Sequence, residues 1–136
     1  MNNIITTQSL TKEYDHKKVV NALDLIVPEG SVYGFLGPNG AGKSTTLKML
    51  LGLVKPTDGP VRISGKILSP ENRLEILRQT GSLIESPAYY GHLSGRENLQ
   101  IICKLKNVSE NEISRVMHLV RMEKQMDKKV RNYSLG

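Results

Sequence analysis

Apolar and polar residues alternate in short runs through the opening third of the chain, from Ile4-Ile5 to Leu10 and again from Val19 to Val27, with Tyr14-Asp15-His16-Lys17-Lys18 between them. A period of two puts every second side chain on one face, so these runs predict antiparallel strands joined by a hairpin near Asp15. Pro28-Glu29-Gly30 supplies turn chemistry. The run after it, Ser31-Val32-Tyr33-Gly34-Phe35-Leu36, is short, apolar and aromatic-rich and predicts a buried strand. From Lys43 to Leu51 the period lengthens to that of a helix, with Leu47, Leu50 and Leu51 on one face before Gly52. A strand, a tight glycine loop and a helix are therefore expected in order.

Further along, Pro56-Thr57-Asp58-Gly59 is a turn. Val61-Arg62-Ile63 and Lys66-Ile67-Leu68 can pair across Ser64-Gly65, Pro70 to Leu77 can form a short helix, and Thr80 to Ile84 is another strand candidate. Two capping boxes then predict helix starts. Ser94 with Glu97 precedes Asn98 to Lys106, and Ser109 with Glu112 precedes Ile113 to Arg121; each serine accepts from an otherwise unpaired amide while the glutamate reaches back. The second half thus reads as a helical segment, in which Met117, Met122 and Met126 are core or interface filler rather than a cofactor box. No internal repeat or low-complexity linker interrupts it.

Composition narrows the classes. A chain of 136 residues with 38% apolar content accommodates one globular unit with a sizeable core. The lone cysteine, Cys103, permits neither an internal disulfide nor a cysteine-based metal site and reads as a small buried thiol, consistent with a reducing compartment. No run of 18 apolar residues and no signal-peptide pattern occurs, so neither secretion nor a membrane span is expected. The formal charge of +6 would attract polyanions, but much of the excess lies between Arg115 and Arg131, where Glu123 and Asp127 interrupt it and no aromatic residues interleave. That stretch reads as a solvated helical face, and direct nucleic-acid binding is not expected. His16, His92 and His118 are scattered and read as surface or packing residues.

The chemistry concentrates in Gly37-Pro38-Asn39-Gly40-Ala41-Gly42-Lys43-Ser44-Thr45, which satisfies G-x-x-x-x-G-K-[ST] between a predicted strand and a predicted helix. Glycines are needed there because the chain must turn sharply and bring backbone N–H groups against phosphate oxygens. The helix N-terminus adds partial positive charge. Lys43 reaches the β- and γ-phosphates as a point charge, and the Ser44 hydroxyl ligates Mg²⁺. The four constrained positions coincide by accident in a chain of this length with a probability on the order of half a percent.

With this loop variant the sequence resembles the ABC ATPase family across essentially its whole length. The resemblance implies a P-loop α/β fold of the ABC ATPase type with an antiparallel β subdomain and a helical subdomain, incomplete at the C-terminus. It divides the chain into 1–84, the β subdomain and phosphate-loop core, and 85–136, the helical part. Tyr14, in Leu10-Thr11-Lys12-Glu13-Tyr14, matches the aromatic residue on which adenine stacks, a contact worth roughly 1–3 kcal/mol by analogy with nucleic-acid sites. Glu85 occupies the position where most members carry the Q-loop glutamine, and a carboxylate there can also ligate Mg²⁺ while adding a negative charge. Glu85-Ser86-Pro87-Ala88-Tyr89-Tyr90 followed by Leu93 to Leu99 is similar to the subset that exports bacitracin or lantibiotics for self-protection. Tyr133-Ser134-Leu135-Gly136 is similar to the start of the signature motif, whose serine and glycine contact the γ-phosphate held by a second protomer. Leu135 departs from the usual glycine, as in that same subset.

The resemblance implies an ATP-binding subunit with ATP and Mg²⁺ as cofactors, a transmembrane permease and a second ATPase protomer, head to tail, as partners, and a cytoplasmic place on the inner face of the membrane through the permease. No residue here matches the Walker B aspartate and catalytic glutamate, the D-loop or the switch histidine, so no catalytic residue is assigned and very weak hydrolysis is expected from these residues alone. The absent half implies an uncovered edge at Val32, Tyr33 and Phe35. Two other readings stay open: a truncated nucleotide-binding module without turnover, and a soluble ABC ATPase acting on nucleic acid or ribosomes.

Overall fold

The computed structural model describes residues 2–84 and 88–134. Where length alone anticipates one unit, the chain divides into two compact units, Met1–Glu85 and Ser86–Gly136, each with its own apolar cluster.

The first unit is built on strands β1 (Asn3–Tyr14) and β2 (Lys17–Pro28), joined through Asp15 and His16, both at positive φ. A two-residue loop with two positive φ angles matches the right-handed twist of the flanking strands, which is why the hairpin closes where the polar interruption falls. Strands β3 (Val61–Ile63) and β4 (Lys66–Ile67) pair across Ser64-Gly65 in the same way, and among the described residues the antiparallel sheet has the order β2-β1-β3-β4. The long hairpin is not a regular ladder. Its register shifts around Thr7, Leu10 and Lys12, and Ser9 and Ala22 take positive φ there. Two buried threonines replace the ladder bonds lost at these bulges. The Thr7 hydroxyl donates to the Leu23 carbonyl at 2.7 Å and accepts from the Leu25 amide at 2.9 Å, and the Thr11 hydroxyl accepts from the Ala22 amide at 3.0 Å.

Helix α1 (Lys43–Leu50) lies on this sheet and α2 (Arg73–Arg78) follows β4; Leu10 and Met49, fully buried, pack with Val20, Val61, Ile63 and Ile76. The packed face of α1 is therefore Thr46 and Met49. Of the predicted stripe, Leu50 packs against this core, and Leu47, Leu50 and Leu51 line an apolar cavity of about 640 Å³ with Ile4, Ile5 and Ile84. Two predicted strands are not formed. Ser31 to Leu36 and Thr80 to Ile84 pair with no strand among the described residues, and Val32 and Leu36 are exposed while Phe35 is half-buried. An apolar run supplies side chains for a sheet, but a strand exists only where a neighbour completes its ladder.

In the second unit, α3 (Gly95–Lys106) and α4 (Asn111–Leu119) pack through Cys103, Ile113, Met117 and Met126, with Leu99 and Met122 at the margin. Met117, Met126 and the thiol are core, as expected, and Met122 packs against them only partly buried. The first capping box forms in full: the Ser94 hydroxyl accepts from the Glu97 amide at 3.2 Å and the Glu97 carboxylate accepts from the Ser94 amide at 2.7 Å. The second does not. Helix α4 starts one residue late for it, the Ser109 hydroxyl accepts from the Asn111 amide at 3.3 Å, and Glu112 pairs with Arg115 at 2.6 Å. Two single turns, 123–125 and 130–132, complete the unit, and Arg115, Arg121, Lys124, Lys128, Lys129 and Arg131 are exposed on it. No helix among the described residues is long and apolar enough to cross a membrane.

The Ser94 amide, followed by the Ser94 hydroxyl, holds the Glu97 carboxyl below its ordinary 4.5. A depressed folded-state value means the capping contribution is complete above the ordinary carboxylate range and is lost as pH falls through the lowered value. In a carboxyl NMR titration Glu97 should titrate below 4.5. Ser94→Ala should move it only part of the way back, since the backbone N–H remains, and should cost about 1 kcal/mol of stability in denaturant melts.

Candidate functional site

The phosphate-loop residues all belong to the first unit. Gly37 to Gly42 form an irregular loop that runs into α1, with Gly40 at φ 83° and Gly42 at φ 86°, conformations that L side chains rarely adopt. At Gly42 the need for glycine is also steric. A Cβ there would collide with the Val19 carbonyl oxygen and touch the Val20 side chain, so the end of the loop is seated directly on β2. The Thr46 amide and hydroxyl both donate to the Gly42 carbonyl, at 2.8 and 3.0 Å, locking it into the first turn. Thr46 is 1% exposed and was not singled out from sequence; its signal is a threonine three residues after the lysine, where the first helical turn closes.

Since the first intrahelical bond belongs to Thr46, the amides of Lys43, Ser44 and Thr45 leave the helix N-terminus with no intrahelical acceptor. Gly40 has open space where its Cβ would stand. Helix N-terminal amides without an intrahelical acceptor, beside a bare glycine, are the donor set a triphosphate requires, so these residues fit the group. The Lys43 ammonium folds back over the loop and donates to the carbonyls of Gly37 and Pro38 at 2.6 and 2.7 Å, while the Ala41 amide bonds Pro38 at 3.2 Å. Pro38, Asn39 and Ala41 thus form the crest of a self-bonded loop, and Ser44 is exposed at the helix start.

Tyr14 stands at the end of β1, 47% exposed, on the hairpin whose second strand seats Gly42. Lys12 lies opposite Val20 in the same hairpin, so Tyr14 is two residues, about 7 Å, further toward the tip. Structure therefore brings Tyr14 and the loop from Gly37 to Thr45 onto one hairpin. Glu85, Leu135 and Gly136 lie outside the described residues.

Ser134 belongs to the second unit and is exposed. The chain before it is strapped onto the start of α3. Val130 and Arg131 donate to the carbonyls of Leu93 and Gly91 at 2.9 and 3.1 Å, Arg96 pairs with Asp127 at 2.9 Å, and the Tyr133 hydroxyl donates to the Gln125 carbonyl at 2.6 Å. Gly95, the first residue of α3, has no room for a Cβ, because Tyr133 occupies that space. Asn98, also missed from sequence, clamps the loop before α3: it accepts from the Tyr90 amide at 2.8 Å and donates to the Tyr90 carbonyl at 3.1 Å. Among the described residues no cluster of three metal-ligating side chains occurs.

Residues 20–136 match the ABC transporter family. Across its whole length the chain is 45% identical to the bacitracin transport ATP-binding protein BcrA of Bacillus licheniformis, of which it covers 44%. It is 35% identical over 98% of its length to the lantibiotic transport ATP-binding protein SrtF of Streptococcus pyogenes, covering 56% of that protein. A solved ATP-binding subunit of an ABC transporter superposes with a TM-score of 0.86 at 27% identity, over 96% of this chain and 56% of that one. The chain spans about half the length of the curated relatives it matches.

Gly42→Ala forces a side chain into the Val19 carbonyl at a left-handed φ. It should lower stability by about 1–3 kcal/mol and weaken nucleotide binding more than tenfold, read by thermal melts and calorimetry on the same preparation.

Proposed function

This chain belongs to the ABC transporter family, with relatives among bacitracin and lantibiotic transport ATP-binding proteins, and from that premise we propose that it is the MgATP-binding part of a subunit that powers export of peptide antibiotics. The observation that carries the reading is the loop from Gly37 to Thr45: Gly40 and Gly42 take left-handed φ just ahead of the N-terminus of α1, and the Lys43 ammonium lies across the loop's own carbonyls. Lys43 leaves Gly37 and Pro38 for the β- and γ-phosphates, exchanging two neutral acceptors for a polyanion. The Ser44 hydroxyl would hold Mg²⁺, which when bound would offset the negative charge of the phosphates. Tyr14 supplies a flat surface for adenine, and Glu85, at the position of the family's Q-loop glutamine, is by resemblance a further ligand for Mg²⁺.

The remaining assignments rest on resemblance and on named relatives. Ser134 and Gly136 serve the triphosphate of a second protomer in a head-to-tail dimer, where ATP is hydrolysed. A separate permease carries the substrate and holds the subunit against the inner face of the membrane. The residues described here bind and orient the nucleotide; none of them is assigned to activating water.

Two measurements test this reading. Lys43→Ala should abolish MgATP affinity, and an unchanged dissociation constant by calorimetry would overturn the assignment of that lysine. In the assembled transporter, Glu85→Gln should alter the transport-coupled ATPase rate more than ATP affinity, whereas equal rates in the two proteins would leave Glu85 without a role at the metal.

A further inference from the structure

Lys12 is half-buried and makes two contacts that no role in the triphosphate site accounts for. Its ammonium stands over the ring of Tyr14, 4.7 Å from the centroid, and donates to the Lys55 carbonyl at 2.9 Å. Lys55 lies just past α1, where Leu53 and Val54 still donate to the Lys48 carbonyl, at 2.9 and 3.3 Å. The same junction is bound to β1 on either side of Lys12. The Thr11 amide donates to Asp58 at 2.8 Å, the Thr57 amide donates to Thr11 at 2.9 Å, and the Glu13 amide donates to the Thr57 hydroxyl at 3.0 Å. The lysine is thus anchored independently of the tyrosine it covers.

We propose that Lys12 is a positioning residue for nucleotide binding, holding the Tyr14 ring as a one-sided platform for the base; the proposal rests on the reading of Tyr14 as the adenine-stacking residue. An ammonium over one face is attracted by the ring's π-electrons, fixes an otherwise half-exposed side chain, and leaves the opposite face for a planar base. A ring already held in place loses less rotamer freedom when the base arrives. The anchor at Lys55 ties the base platform to the segment that follows α1, the helix whose N-terminus receives the phosphates.

The test compares MgATP with inorganic tripolyphosphate, which has no base, by calorimetry on the intact protein and its Lys12→Met, Lys12→Arg and Tyr14→Ala variants. Lys12→Met should weaken MgATP about two- to fivefold, leave tripolyphosphate unchanged, and add nothing in the Tyr14→Ala background, while Lys12→Arg should retain wild-type affinity. Equal losses for MgATP and tripolyphosphate, or the same loss with and without Tyr14, would overturn the proposal and make Lys12 a general electrostatic attractor. An unchanged MgATP affinity in Tyr14→Ala would instead remove the stacking reading, and the platform with it, and is distinguished by involving no change at Lys12.

Discussion

The close approach of the Gly42 backbone to Val19 and Val20 is the contact on which the geometry of the first unit turns. It is possible only without a side chain and at a left-handed φ, and it seats the start of α1 on β2. Thr46 then binds the Gly42 carbonyl, and one turn on Met49 enters the core beside Leu10 and Val20. A chain of short contacts therefore joins the phosphate loop to the apolar interior. The other half of the loop is different in kind. From Gly37 to Ala41 it is bonded to itself and to Lys43, so a ligand can rearrange that half without disturbing the half that is packed.

The bulged hairpin supplies the second element of this geometry. The register shifts around Leu10 interrupt the ladder between β1 and β2, and each amide orphaned inside the core would cost more than an ordinary hydrogen bond returns. Thr7 and Thr11 meet that requirement with hydroxyls that can both donate and accept. The hairpin can then bend and twist while its tip carries Tyr14 and Lys12 and its flank receives Gly42. The second unit solves a similar problem by other means. A complete capping box starts α3, and the strap ending at Tyr133 is bonded back onto that start, so the residues preceding Ser134 have a defined path.

Several of these features were legible in the residues themselves. The polar break at Tyr14 to Lys18, the Ser64-Gly65 turn and the Ser94–Glu97 box depend on local φ/ψ preference and on hydrogen bonds within a few residues, so short windows of sequence specify them. The phosphate loop belongs to the same class, since its glycines, lysine and serine are close in the chain and their order is the chemistry. Other expectations failed for a common reason. Ser31 to Leu36 and Thr80 to Ile84 have strand composition, yet a strand needs a partner that composition cannot provide. Ser109 and Glu112 have the spacing of a cap, but Arg115 offers the glutamate a charged partner at 2.6 Å and the helix begins elsewhere.

By itself, then, the sequence determined the hairpins, the first helix cap, the methionine core of the second unit and the glycine-rich loop ahead of α1, because each is set by near neighbours along the chain. Tertiary structure decided which face of α1 is packed, placing Thr46 and Met49 inside and Leu47 beside a cavity. It also decided that Gly42 rests on Val19 and that Lys12 covers Tyr14 from an anchor at Lys55. Those contacts join residues more than twenty or forty positions apart, or depend on a bulge that turns a side chain; no periodicity encodes them, and only packing distinguishes them.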